Sequence, residues 1–236
     1  MSPHTDNELD HAPEQALPLA GAADLAPSRR EFMLGMFARC PQLVIELLRH
    51  LAAVHVPKNG AIQPLEHGRG EYGDTVVHAL HTHRPALGII VDALETPDTD
   101  RRYAWPLYAC GLRARLRCPV TLCVVTPRRS VARWAAIPTR IGAGNTYQPI
   151  VLGPASIPAV TDPERARQLP ELAVLSALVH GRSLDQERAS RIAATALRAC
   201  EPLELALCQL YTEIVRSSLG EPARRLLHEM QLGERH

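Results

Sequence analysis

Lysine is almost missing from this chain: Lys58 is the only one, and arginine supplies the rest of the 26 basic residues. Set against 25 acidic residues they leave a formal charge of +1, so no global field marks the chain as a binder of polyanions. Cysteine is present six times but never as C-x-x-C, and Cys118 and Cys123 lack a second well-spaced pair, which argues against a zinc site. Free thiols in a reducing compartment are the expectation. No apolar run approaches the roughly 20 residues that a membrane span needs. The opening "MSPHTDNELDHAPEQ" is acidic and lacks a basic leader, so no signal peptide is read there. These absences predict a cytoplasmic protein with no membrane partner.

What is present is organised in three stretches. Residues 1–28 hold Pro3, Pro13, Pro18 and Pro27 among Ala, Asp and Glu, a composition expected to give a flexible tail. Residues 29–157 read as an α/β core. Ser28 and Glu31 have the spacing of a capping box, opening a first helix at "SRREFMLGMFARC". "PQLVIELLRHLAAV" follows as a second helical stretch, with Leu43, Leu47 and Leu51 on one stripe and Glu46 off its centre. Residues 54–66 are extended or looped around an Asn59-Gly60 turn. "TVVHAL" and "LGIIVDAL" form two strands of a hairpin, and a helix is expected from about Pro106 to Arg117. "CPVTLCVVT" reads as a strand buried on both faces, "SVARWAA" as a short helix and "YQPIVLG" as a late strand. Residues 158–236 are a helical region, in which "PELAVLSALVHG" has proline at its start and glycine past its end.

Two aspartates stand beside β-branched apolar runs, Asp74 in "GDTVV" and Asp92 in "IIVDALE". Alternation puts Leu94 on the face of Asp92 and Glu95 on the other. Two carboxylates on adjacent strands could share a Mg²⁺ ion, which takes oxygen ligands and usually only one or two protein carboxylates. Glu46 could add a third. Such an ion can activate water against a phosphodiester. Spacing alone leaves a second reading open, in which Asp74 follows a Gly73 turn and Asp92 merely ends a strand. His81 and His83 have no placed third ligand, and "GAGN" at 142–145 lacks the Lys-Ser/Thr of a phosphate-binding loop.

The order of a helix with a glutamate, strands bearing acidic residues, a helix and a further strand resembles the PD-(D/E)XK nuclease core. "RRYAWPLYACGLRARLRCPVTLCVVTPRRSVARWAA" and "PIVLGPASIPAVTDPERARQLPELAVLSALVHG" resemble uncharacterised bacterial proteins related to the recombination-promoting nuclease and transposase family. The resemblance spans roughly residues 30–181. It implies a metal-dependent DNA endonuclease fold, with Asp74 and Asp92 as the catalytic pair and Glu46, Asp74 and Asp92 as Mg²⁺ ligands. Two positions depart from the family: Asp92 stands where glutamate is usual, and Leu94 where glutamine or lysine is usual. The alternative function is a non-catalytic nucleic-acid or protein-interaction module on the same fold.

From Arg101 to Arg133 there are eight arginines and no Asp or Glu. Arg101, Arg102, Arg113 and Arg117 are therefore candidate contacts to a DNA backbone, against the alternative of a solvated helix face whose C-terminal arginines complement the helix dipole. Arg115 falls within the apolar arc of its helix and needs a carboxylate partner or a route to solvent.

Overall fold

A computed structural model describes residues 27–51, 54–67 and 71–233. The tail expected over residues 1–28 falls almost wholly outside them. The first helix, α1 (Arg29–Arg39), begins at Ser28, whose hydroxyl accepts from Glu31 N while the Glu31 carboxylate accepts from Ser28 N. This is the reciprocal box that the spacing predicts. Helix α2 (Gln42–Arg49) follows at once, shorter than the expected stretch.

A five-stranded mixed sheet comes next, in the order β1-β2-β3-β4-β7. Strands β1 (Ala61–Pro64), β2 (Val76–His81) and β3 (Pro85–Ala93) pair antiparallel in succession, whereas β4 (Val120–Val125) pairs parallel with β3 and β7 (Ile150–Leu152) parallel with β4. A parallel neighbour requires a crossover, and α3 (Thr99–Leu116) supplies it between β3 and β4. After β4 come α4 (Arg129–Ala135) and a small hairpin of β5 (Thr139–Gly142) and β6 (Asn145–Tyr147), with Gly144 at φ +74° in its turn.

Side chains of the central strands alternate between two cores. Ile89, Val91 and Ala93 of β3, with Cys123 and Val125 of β4, face the core shared with α1 and α2. Ile90 of β3, Leu94 just past its end, and Leu122 and Val124 of β4 face Trp105 and Leu112 of α3 and Val131 of α4. Both strands are thus buried on both faces, which is why they read as near-continuous apolar runs. Gly88 lets α3 lie close: a Cβ there would come within 2.9 Å of Val120 and 3.1 Å of Leu112.

The C-terminal helices α5 (Pro163–Gln168), α6 (Pro170–His180), α7 (Gln186–Cys200), α8 (Leu205–Ser218) and α9 (Glu221–Gly233) are built into the first core. Tyr211 of α8 meets Phe32 of α1 edge to face at 5.7 Å between ring centres. The helical region therefore shares its packing with the sheet domain. No helix among the described residues is long and apolar enough to cross a membrane.

Candidate functional site

Asp92 is the last residue but one of β3 and its side chain is 0% exposed. A carboxylate taken fully out of water needs charge and hydrogen-bond compensation, and here it comes from both layers. Oδ1 accepts from Arg101 Nη1 of α3 at 3.0 Å, from Arg30 Nη2 of α1 at 3.4 Å and from the Ala93 backbone N–H at 2.9 Å. Oδ2 accepts from Trp105 Nε1 at 2.9 Å. Trp105 is fully buried and uses Asp92 to satisfy its indole N–H.

Asp74 reaches the same two guanidinium groups. Its Oδ2 lies 3.5 Å from Arg101 Nη2 and 3.9 Å from Arg30 Nη1. It does not enter the strand as expected: it sits two residues before β2, in a turn bent by Gly73 at φ +60° and closed by Thr75 Oγ1 donating to Tyr72 O at 2.8 Å. Its side chain is 69% exposed. Arg30 is fixed further by donating to Ala93 O and Asp74 O, both at 3.1 Å, and Arg101 by Asp98 at 3.4 Å.

Cationic groups thus occupy the space between the two candidate metal ligands. The donor set does not suit Mg²⁺. The ion would have to displace two guanidinium groups from Asp92 or sit beside them against their positive charge. Among the described residues no group of three or more His, Cys, Asp and Glu converges as metal ligands. Glu46 is not brought to this cluster. On α2 it pairs instead with Arg165 of α5 at 3.4 Å and with His50 one turn on at 3.8 Å, because its off-centre position on the helix turns it toward α5. Leu94 lies on the Asp92 side of the sheet, as alternation requires, but 3% exposed in the apolar cluster with Trp105 and Leu122.

The four candidate DNA-contacting arginines divide into two pairs. Arg102 donates to Thr139 Oγ1 at 2.9 Å and Ile137 O at 2.7 Å and lies over the Trp134 ring, tying α3 to β5 and α4. With Arg101 held by three aspartates, both residues are engaged inside the protein. Arg113 and Arg117 are exposed and border one recess at the other end of α3. Twelve residues of helix separate Arg101 from Arg113, about 18 Å along the axis, so the four do not form one patch. Arg115 finds its carboxylate, Glu71 at 3.4 Å, at the surface. The helix itself starts seven residues before the expected Pro106, because Asp98 caps it by accepting from Arg101 N at 3.0 Å.

Burial raises the thiols of Cys40 to about 11 and of Cys123 and Cys200 to about 12, so none of these is a nucleophile at neutral pH. Sequence reasoning missed Arg30 entirely. One signal was available. An arginine in the first turn of a helix opposes the helix dipole, so "SRREF" asks for partners from outside its own helix. No family model, curated protein or solved structure matches the chain.

Proposed function

We propose that this chain has a PD-(D/E)XK-type nuclease fold in which arginine has taken over the place of the divalent metal, leaving a non-catalytic binding module. The observation that carries the reading is the buried Asp92, with both oxygens committed to Arg101, Arg30, Trp105 and the backbone. The element order supports the fold part: a helix, three antiparallel strands, a crossover helix and a parallel strand. Leucine at 94 supports the loss of chemistry, since it offers no hydrogen bond to water or phosphate.

Of the four candidate arginines, DNA contact then falls to Arg113 and Arg117, the exposed pair. Two phosphate contacts give a shallow salt dependence, a log–log slope of about −2. The test is single-turnover incubation of plasmid and linear DNA with Mg²⁺ or Mn²⁺, beside Asp74→Ala. No cleavage by either protein is expected. Cleavage by the natural protein that disappears in Asp74→Ala would overturn the non-catalytic reading and restore the metal-dependent nuclease.

A further inference from the structure

A second feature lies where the parallel strands β4 and β7 end, the edge at which open α/β sheets place their ligands. The chain leaves β4 at Thr126 and enters α4 at Arg129, and it leaves β7 at Gly153. Between these exits and the junction of α6 and α7 is a cavity of about 320 Å³. Its polar wall is Arg129, Arg188, His180 and Ser183; its apolar wall includes Ile157 and Ile192.

Among the described residues no carboxylate pairs with the two arginines of that wall. Arg129 is the first residue of α4 and Arg188 the third of α7, positions where the helix dipole disfavours a cation. Arg30 and Arg101 occupy comparable first-turn positions and are held by carboxylates. Neither Arg129 nor Arg188 has a carboxylate within ion-pair distance among the described residues: no ion pair joins Arg188 to its sequence neighbour Glu187, and Asp185 caps α7 by accepting from Arg188 N at 2.9 Å. His180 Nε2 donates to Ile157 O at 3.0 Å, which leaves Nδ1 for another partner. Two unpaired guanidinium groups on different helices, converging on one walled cavity, are an anion receptor with a defined geometry.

We propose that this cavity binds a compact phosphomonoester, the phosphoryl group held between Arg129 and Arg188 and the organic body against Ile157 and Ile192. The volume is at the lower end of small-molecule sites, which fits a ligand of sugar-phosphate size. Burial, and then the field of Arg188 and Arg129, depress the His180 pKa. A bound dianion reverses the second influence, so the His180 ring reports occupancy. The inference does not depend on the nuclease-like reading, since it uses neither Asp74 nor Asp92.

The experiment is titration of the full chain with inorganic phosphate and with ribose 5-phosphate, followed by calorimetry and by the His180 ring resonances. Both probes are expected to bind and to raise the His180 pKa, with ribose 5-phosphate tighter. Arg129→Gln and Arg188→Gln should each weaken binding about tenfold, the factor for one charge-assisted hydrogen bond. Both residues are exposed, so these variants should fold normally. Arg113→Gln, at the far end of the sheet, should bind as the natural chain does. Absence of binding by both probes, or affinity unchanged in both arginine variants, would overturn the proposal.

Discussion

At the scale of single residues, Asp92 and Asp74 look alike in sequence and differ in what removing them does. Asp92→Ala leaves two guanidinium groups and an indole N–H facing a buried void, and losing one member of a buried charge pair costs about 3–5 kcal/mol. Asp74→Ala removes an exposed carboxylate, where the ion-pair contribution is roughly 0–1 kcal/mol. Chemical denaturation of the two variants should reproduce that ranking; equal effects would mean that Asp92 is not the centre of the network. Leu94→Gln tests the adjacent position. Its amide would enter the cluster of Trp105 and Leu122 without a ready partner, at a cost of about 1–3 kcal/mol. Introducing the residues usual in PD-(D/E)XK nucleases, Asp92→Glu and Leu94→Gln, is therefore expected to lower the melting temperature and gain no cleavage, because Arg30 and Arg101 remain in place. Metal-dependent cleavage by that double variant would contradict this account.

At the scale of elements, α3 decides the site, because its first turn carries Arg101 and its second carries Trp105. Asp98→Ala removes the cap and one carboxylate beside Arg101, and should cost about 1 kcal/mol in urea unfolding. Gly88→Val should cost more, about 1–3 kcal/mol, because its side chain meets Val120 and Leu112 and pushes α3 off β3. Local patterns made much of this legible: the Ser28–Glu31 box, the β2–β3 hairpin and the doubly buried β4 follow from rules that act within a few residues. The start of α3 was hidden because Pro106 lies inside the helix, whereas the signal for its beginning was Asp98. The site was half legible. Alternation placed Asp92 and Leu94 on one face, but the partners of Asp92 come from α1, 62 residues earlier, and from α3. Such partners are set by packing of layers, which no local periodicity encodes. Glu46 failed as a third ligand for the same reason: its position on α2 was readable, the neighbour its helix would face was not.

At the scale of the whole molecule, acid should loosen the fold through two histidines that hold its layers together. His78 of β2 is fully buried beneath α1, with Nε2 against Phe37 O at 3.1 Å and Nδ1 without a hydrogen-bond partner among the described residues. Protonation would place an unsatisfied N–H and a positive charge in the apolar layer, and burial depresses its pKa accordingly. His180 joins α6 to the segment after β7 through Ile157 O, and its pKa is lowered by burial and by Arg188 and Arg129. Both residues are neutral in the native state near pH 7. Once unfolded they titrate near the ordinary value of about 6.5, so below that pH the unfolded chain binds more protons than the native one. Stability from these groups is complete above about pH 6.5 and falls as the pH drops toward the depressed native values. The loss approaches about 1.4 kcal/mol per pH unit for each histidine within that window. Urea unfolding at about pH 7 and about pH 5 measures it. His78→Gln keeps an amide donor for Phe37 O but cannot titrate, so it should flatten the dependence, and a second change, His180→Gln, should flatten it further. A slope that persists undiminished in the double variant would assign the acid sensitivity to other groups.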